Sequence, residues 1–125
     1  MLNVRRTMVS LLLVATSSTG WTQTAAEFPA EAKMLSAEAL SQRVSEKVFN
    51  VVVARGPAWR LQLNENGYFF INAGNYADSG KWRVEESKVC WQPQRGNAGC
   101  NEMRLVSDML HMKRDNGEIV KLEPR

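Results

Sequence analysis

Met103, Met109, His111 and Met112 cluster late in the sequence. Thioether and imidazole groups are ligands that suit soft copper(I). On a strand, Met109 and His111 project from one face and Met112 from the other. Two ligands on one face are too few to hold a copper ion, and methionines commonly fill irregular gaps in a core. The expectation is therefore no metal and no cofactor. His111 is the single histidine, so any Ser/His/Asp or Cys/His arrangement would have to use it. Glu85 and Glu86 are adjacent and face opposite ways on a strand, so they cannot act as an acid/base pair. Asp78 has Lys81 and Arg83 as nearby candidate partners. The sequence carries no P-loop, dinucleotide fingerprint, EF-hand loop or zinc-protease helix motif, and no G-x-S-x-G elbow. A non-enzymatic protein is expected, with a hydrolase centred on His111 as the weak rival.

Cys90 and Cys100 are the only cysteines. With one histidine they are too few for a zinc finger. Their wide spacing is not that of a C-x-x-C redox pair. They read as one disulfide, which forms outside the reducing cytosol. Closing so short a loop stabilises a fold by about 2.5–3 kcal/mol in the chain-entropy description.

Residues 1–26 read as a secretory signal peptide. Arg5 and Arg6 supply the positive start, Met8 to Ala15 a short apolar run, and Thr24-Ala25-Ala26 a small-residue cleavage site. The run is shorter than the roughly 20 apolar residues that span a bilayer, so no stable membrane anchor is expected after cleavage. Losing Arg5 and Arg6 takes the 16 basic residues to 14, against 13 acidic ones, a net charge of +1 in place of +3. A nearly neutral domain without a Lys/Arg stripe in its sequence argues against nucleic acid as a partner. The expected location is the periplasm or outside the cell.

These residues must be positioned by the remaining 99 residues, 27–125, enough for one domain. Residues 27–35 read as a flexible leader and 36–125 as a single β-rich domain. Ser36 can cap a helix from Ala37 through Lys47 whose apolar residues, Ala37, Leu40 and Val44, fall on one narrow face, with Val48 next on the same spacing. Beyond it the period changes from 3.6 to 2. Trp59, Leu61 and Leu63 share a face, as do Trp82 with Val84 and Val89 with Trp91. Glu65-Asn66-Gly67 and Asp115-Asn116-Gly117 are hairpin signals. Gly74 to Gly80 reads as a loop. About seven short strands result, with no segment long enough for a parallel crossover. The expected fold is a mainly β, antiparallel meander, either an open sheet or a small lipocalin-like barrel, with one short N-terminal helix. Trp59, Trp82 and Trp91 are expected to contribute most to the core.

The run Asp78-Ser79-Gly80-Lys81-Trp82-Arg83-Val84, followed by Cys90-Trp91 and Cys100, resembles a group of small secreted proteobacterial proteins. Those share a signal peptide, a short helix opening with a Leu-Ser/Thr pair (here Leu35-Ser36), a β-meander with a Gly-x-Trp hairpin, and a Cys–Cys loop. The resemblance covers about residues 35–110. That group has no assigned activity, so it implies a fold and brings no catalytic residues. The Gly-x-Trp strand alone is similar to lipocalin-like barrels.

The strand from Tyr68 carries apolar side chains on both faces: Tyr68 and Phe70 on one, Phe69 and Ile71 on the other. Either a second layer covers both, or one face is an interaction surface. Tyr68, Phe70 and the neighbouring Tyr76 are the candidate binding face. The expected function is binding of a protein or envelope component. The alternatives are carriage of a small apolar ligand, and inhibition of a hydrolase through a loop at Gln94 to Gly99.

Overall fold

The computed structural model describes residues 27–125. The expected signal peptide, 1–26, lies outside the described residues. In chain order the elements are β1 (Lys33–Met34), α1 (Ala37–Val44), β2 (Lys47–Val52), β3 (Trp59–Leu63), β4 (Tyr68–Ala73), β5 (Tyr76–Glu85), β6 (Lys88–Pro93), β7 (Gly99–Val106), β8 (Met109–Lys113) and β9 (Ile119–Pro124). Each strand from β2 to β8 pairs antiparallel with the next, and β9 returns to β2. Eight strands thus close into an up-and-down barrel, and β1 is added outside the circuit, on β7. Closure satisfies the edge strands that an open meander would expose.

The expected count of about seven strands is too low. Asp, Ser and Gly disfavour strands, which is why Gly74 to Gly80 reads as a loop. In the barrel, Tyr76 to Gly80 is the first half of β5, paired with β4 from Ala73↔Tyr76 to Phe69↔Gly80. The loop shrinks to Gly74 and Asn75, with Gly74 at φ 73°. Pairing with an adjacent strand outweighs weak local propensity here. β1 lies within the expected leader, where Lys33 and Met34 pair with Leu105 and Arg104. It continues the side of β7 that β6 covers only as far as Glu102.

Ser36 caps α1 by accepting the Ala39 N–H at 3.2 Å. The helix stops at Val44, short of the expected Lys47, and Glu46 turns the chain into β2 at φ 61°. Leu40 and Val44 are fully buried, so α1 plugs one end of the barrel. Arg43 on the same helix pairs with Asp108 in the β7–β8 turn at 2.7 Å. That pair holds the Asp108 carboxyl below its usual range. Ser107 and Asp108 both take positive φ, 49° and 64°, the backbone a two-residue hairpin needs.

Alternation along each strand sends one set of side chains inward. Phe49, Val51, Leu61, Leu63, Phe69, Val89, Met103, Leu110, Met112, Val120 and Leu122 form the core with Leu40 and Val44. Trp59, Trp82 and Trp91 do not form its centre. They are half-buried against it, because an eight-stranded barrel has an interior that aliphatic side chains already fill. The strand β5 serves β4 along its first half and β6 along its second. Where the two pairings overlap, Gly80 is required. A Cβ there would collide with the Gln92 carbonyl oxygen, with the Pro93 Cα 2.8 Å away.

The two Asn-Gly signals form the same turn. Gly67 and Gly117 sit at φ 86° and 87°. Asn66 and Asn116 accept the N–H groups of Tyr68 and Glu118 at 3.2 and 2.9 Å. Cys90 and Cys100 are directly opposite on β6 and β7 and are joined as a disulfide.

Candidate functional site

The end of the barrel opposite α1 carries no helix plug. A cup of about 410 Å³ opens there. Its floor is apolar, from Val51, Leu61, Phe69, Ile71 and Met112, and Trp59, Trp91 and Pro93 form its walls. Tyr76, Asp78, Asn97, Asn101, Arg114 and Asp115 make a polar rim. The alternation that fills the core runs out at the mouth, where the inward side chains become larger and only half-buried.

The rim is held by its own hydrogen bonds. Asp78 points inward from β5 and accepts the backbone N–H groups of Ser79 at 2.8 Å, Arg95 at 3.2 Å and Gly96 at 3.0 Å. The Tyr76 hydroxyl donates to it at 2.9 Å. Desolvation pushes the Asp78 carboxyl up. The hydrogen bonds from Gly96, Tyr76, Ser79 and Arg95 outweigh that and hold it at about 2. The same bond pushes the Tyr76 phenol above its usual range. Asp78 therefore clasps the Gln94 to Gly99 loop onto the mouth; it does not pair with Lys81 or Arg83, as local spacing suggests. Arg83 pairs with Glu85 at 2.9 Å.

On the other side, Trp91 meets Phe69 edge-on at 5.0 Å and donates its Nε1 proton to Asn101 at 2.9 Å. Asn101 donates in turn to the Lys113 carbonyl and the Asp115 carboxylate, both at 3.0 Å. The Arg114 guanidinium lies 4.5 Å from the centre of the Trp59 ring, a cation–π contact. It also pairs with Glu118, whose other oxygen accepts the Ala54 N–H at 2.7 Å. The Ala54 bond and then Arg114 hold the Glu118 carboxyl below its usual range. Asp78, Asn101 and Arg114 thus fix the shape of the cup, and its aromatic walls are the surface offered to a ligand.

The three candidate binding residues do not form one patch. Tyr68 and Phe70 lie on the outer wall of β4, 46% and 48% exposed, with no second layer over them. Tyr76 has the opposite parity and lines the mouth. The methionines and His111 do not converge either. Met103 and Met112 face each other inside the barrel. Met109 and His111 are half-buried on the outer side. His111 hydrogen-bonds through Nδ1 to the Met109 carbonyl at 3.0 Å, and its cross-strand neighbours are Arg104 and Lys121. No carboxylate orients its ring for catalysis. Glu85 lies beside Cys90 and Cys100, but a disulfide leaves those sulfurs without thiolate character for a metal.

Neither Asp78 as a clasp nor the Trp59–Arg114 contact is foreseen in the sequence. The only sequence cue is a carboxylate immediately before Ser-Gly, a position that often binds nearby backbone N–H groups. Compared with known protein families, curated proteins and solved structures, the chain matches none of them. No helix among the described residues is long and apolar enough to cross a membrane.

Proposed function

We propose that this chain is a non-enzymatic binding module whose site is the mouth of the barrel. It takes a small ligand with a flat apolar body and a polar edge. The observation that carries this is the cup of about 410 Å³ at the unplugged end, walled by Trp59 and Trp91 over an apolar floor. Pockets of several hundred Å³ with apolar walls and a few fixed polar groups are the usual form of small-ligand sites. Action in the periplasm or outside the cell fits the Cys90–Cys100 bond. The Arg95 and Gly96 N–H groups tie their loop to Asp78, which supports reading it as a wall of the cup.

The test is fluorescence titration of the oxidised protein with phenylnaphthylamine, a neutral aromatic probe. One probe should bind per chain with enhanced emission. Trp59→Ala and Trp91→Ala should each weaken it by about tenfold, which is about 1.4 kcal/mol, while the fold persists by circular dichroism. Absence of binding, or binding indifferent to both substitutions, would refute the reading.

A further inference from the structure

The outer wall of the same strands carries a second, independent arrangement. Tyr68 and Phe70 are two residues apart on β4, so their rings stand on one face about 7 Å apart. Lys81 lies directly across from Tyr68, and Arg60 directly across from Asn72. The exposed aromatic pair is therefore bracketed by a cation at each end, over roughly 14 Å of strand. Gln62 and Ser79 flank Phe70. No carboxylate points outward from β3 or β4, but Glu46 and Glu65, hydrogen-bonded to each other, border Gln62 at the turn end of the wall. On β5 the outward carboxylate is Glu85, which is paired with Arg83. Among the described residues, Arg60 and Lys81 make no ion pair.

We propose that this wall binds an acidic polysaccharide. Apolar C–H faces of sugar rings would stack on Tyr68 and Phe70. Carboxylates of the polymer would meet Arg60 and Lys81, and its hydroxyls would meet the amides of Gln62 and Asn72. Arg60 and Lys81, which are in no ion pair among the described residues, favour a polyanion over a neutral chain along the Phe70 strip, away from Glu46 and Glu65. Rings spaced along a basic strip can also stack nucleic-acid bases. The disulfide favours the glycan, because such a bond is consistent with an oxidising compartment outside the cytosol.

The experiment is calorimetric titration of the oxidised protein, at low and moderate salt, with polygalacturonate, neutral dextran and poly(dT). Polygalacturonate should bind, with affinity falling as salt rises, and dextran should not. The Tyr68→Ser/Phe70→Ser pair should weaken binding by about tenfold or more. The Arg60→Gln/Lys81→Gln pair should do the same and flatten the salt dependence. All four side chains are exposed, and circular dichroism confirms that each variant is folded. Phenylnaphthylamine titration reports the mouth separately, so loss of one site is distinguishable from loss of the other. No binding of polygalacturonate, equal binding of dextran, tighter binding of poly(dT), or unchanged affinity in either variant pair would overturn the proposal.

Discussion

The two ends of this barrel use the same backbone and do different work. At the closed end, α1 inserts Leu40 and Val44 until no solvent reaches them, and Arg43 fastens the helix to the β7–β8 turn. At the open end, the inward residues are Trp59 and Trp91, which stay half-exposed around a cup. One type of turn, Asn-Gly with positive φ on the glycine, occurs once at each end. Turn chemistry therefore does not distinguish them. What distinguishes them is the covering: aliphatic side chains from a helix at one end, hydrogen-bonded loops at the other. Burial of that helix stabilises the fold. The loops leave aromatic surface uncovered, and uncovered surface is what a ligand can use.

The strongest way to break this contrast is at the plug. Leu40→Ala removes a fully buried side chain and should cost about 3 kcal/mol in urea unfolding. A cost under about 1 kcal/mol would show that the helix is an ornament and not a plug. The next effect lies beside the mouth. Replacing both cysteines, Cys90→Ser with Cys100→Ser, should lower stability by about 2.5–3 kcal/mol, read from urea unfolding, with the slope equal or steeper because the unfolded chain loses a constraint.

Acid should act on the mouth through Asp78. Its carboxyl is depressed to about 2 in the fold, against about 3.9 in an unfolded chain. A depressed value gives stability that is fully present above the unfolded value and is lost as pH falls through the folded one. Thermal stability should therefore decline between about pH 4 and pH 2, and Asp78→Asn should remove part of that decline. Solvent screening at the rim keeps the effect modest. Equal acid profiles for the two proteins would mean that the clasp is not formed. The smallest expected change returns to the plugged end. Ser107→Gly relieves a positive φ at a residue with a side chain and should raise stability by about 0.5–1 kcal/mol, measured by urea unfolding.

Much of the wall was legible because its strands alternate cleanly. Trp59-Arg60-Leu61-Gln62-Leu63 and Lys88-Val89-Cys90-Trp91 declare their inner faces by period alone, and the Asn-Gly pairs mark two turns. The start of β5 was not legible, since Asp78-Ser79-Gly80 carries strand residues chosen for the clasp and the close approach to β6. The helix end was obscured because Val48 extends the apolar spacing of α1 while belonging to β2. The mouth was the least visible part. Its residues come from β2 through β8 and the β8–β9 turn, and only closure of the circuit brings them together. The separation of Tyr76 from Tyr68 and Phe70 follows from strand parity across a two-residue turn, which a seven-residue loop reading concealed.

The bond between Cys90 and Cys100 also encloses the exposed loop from Gln94 to Gly99. A protease that cuts this loop would leave both pieces covalently joined across paired strands. A nicked chain would migrate as one band without reductant and as two with it, so damage at the rim need not release a fragment.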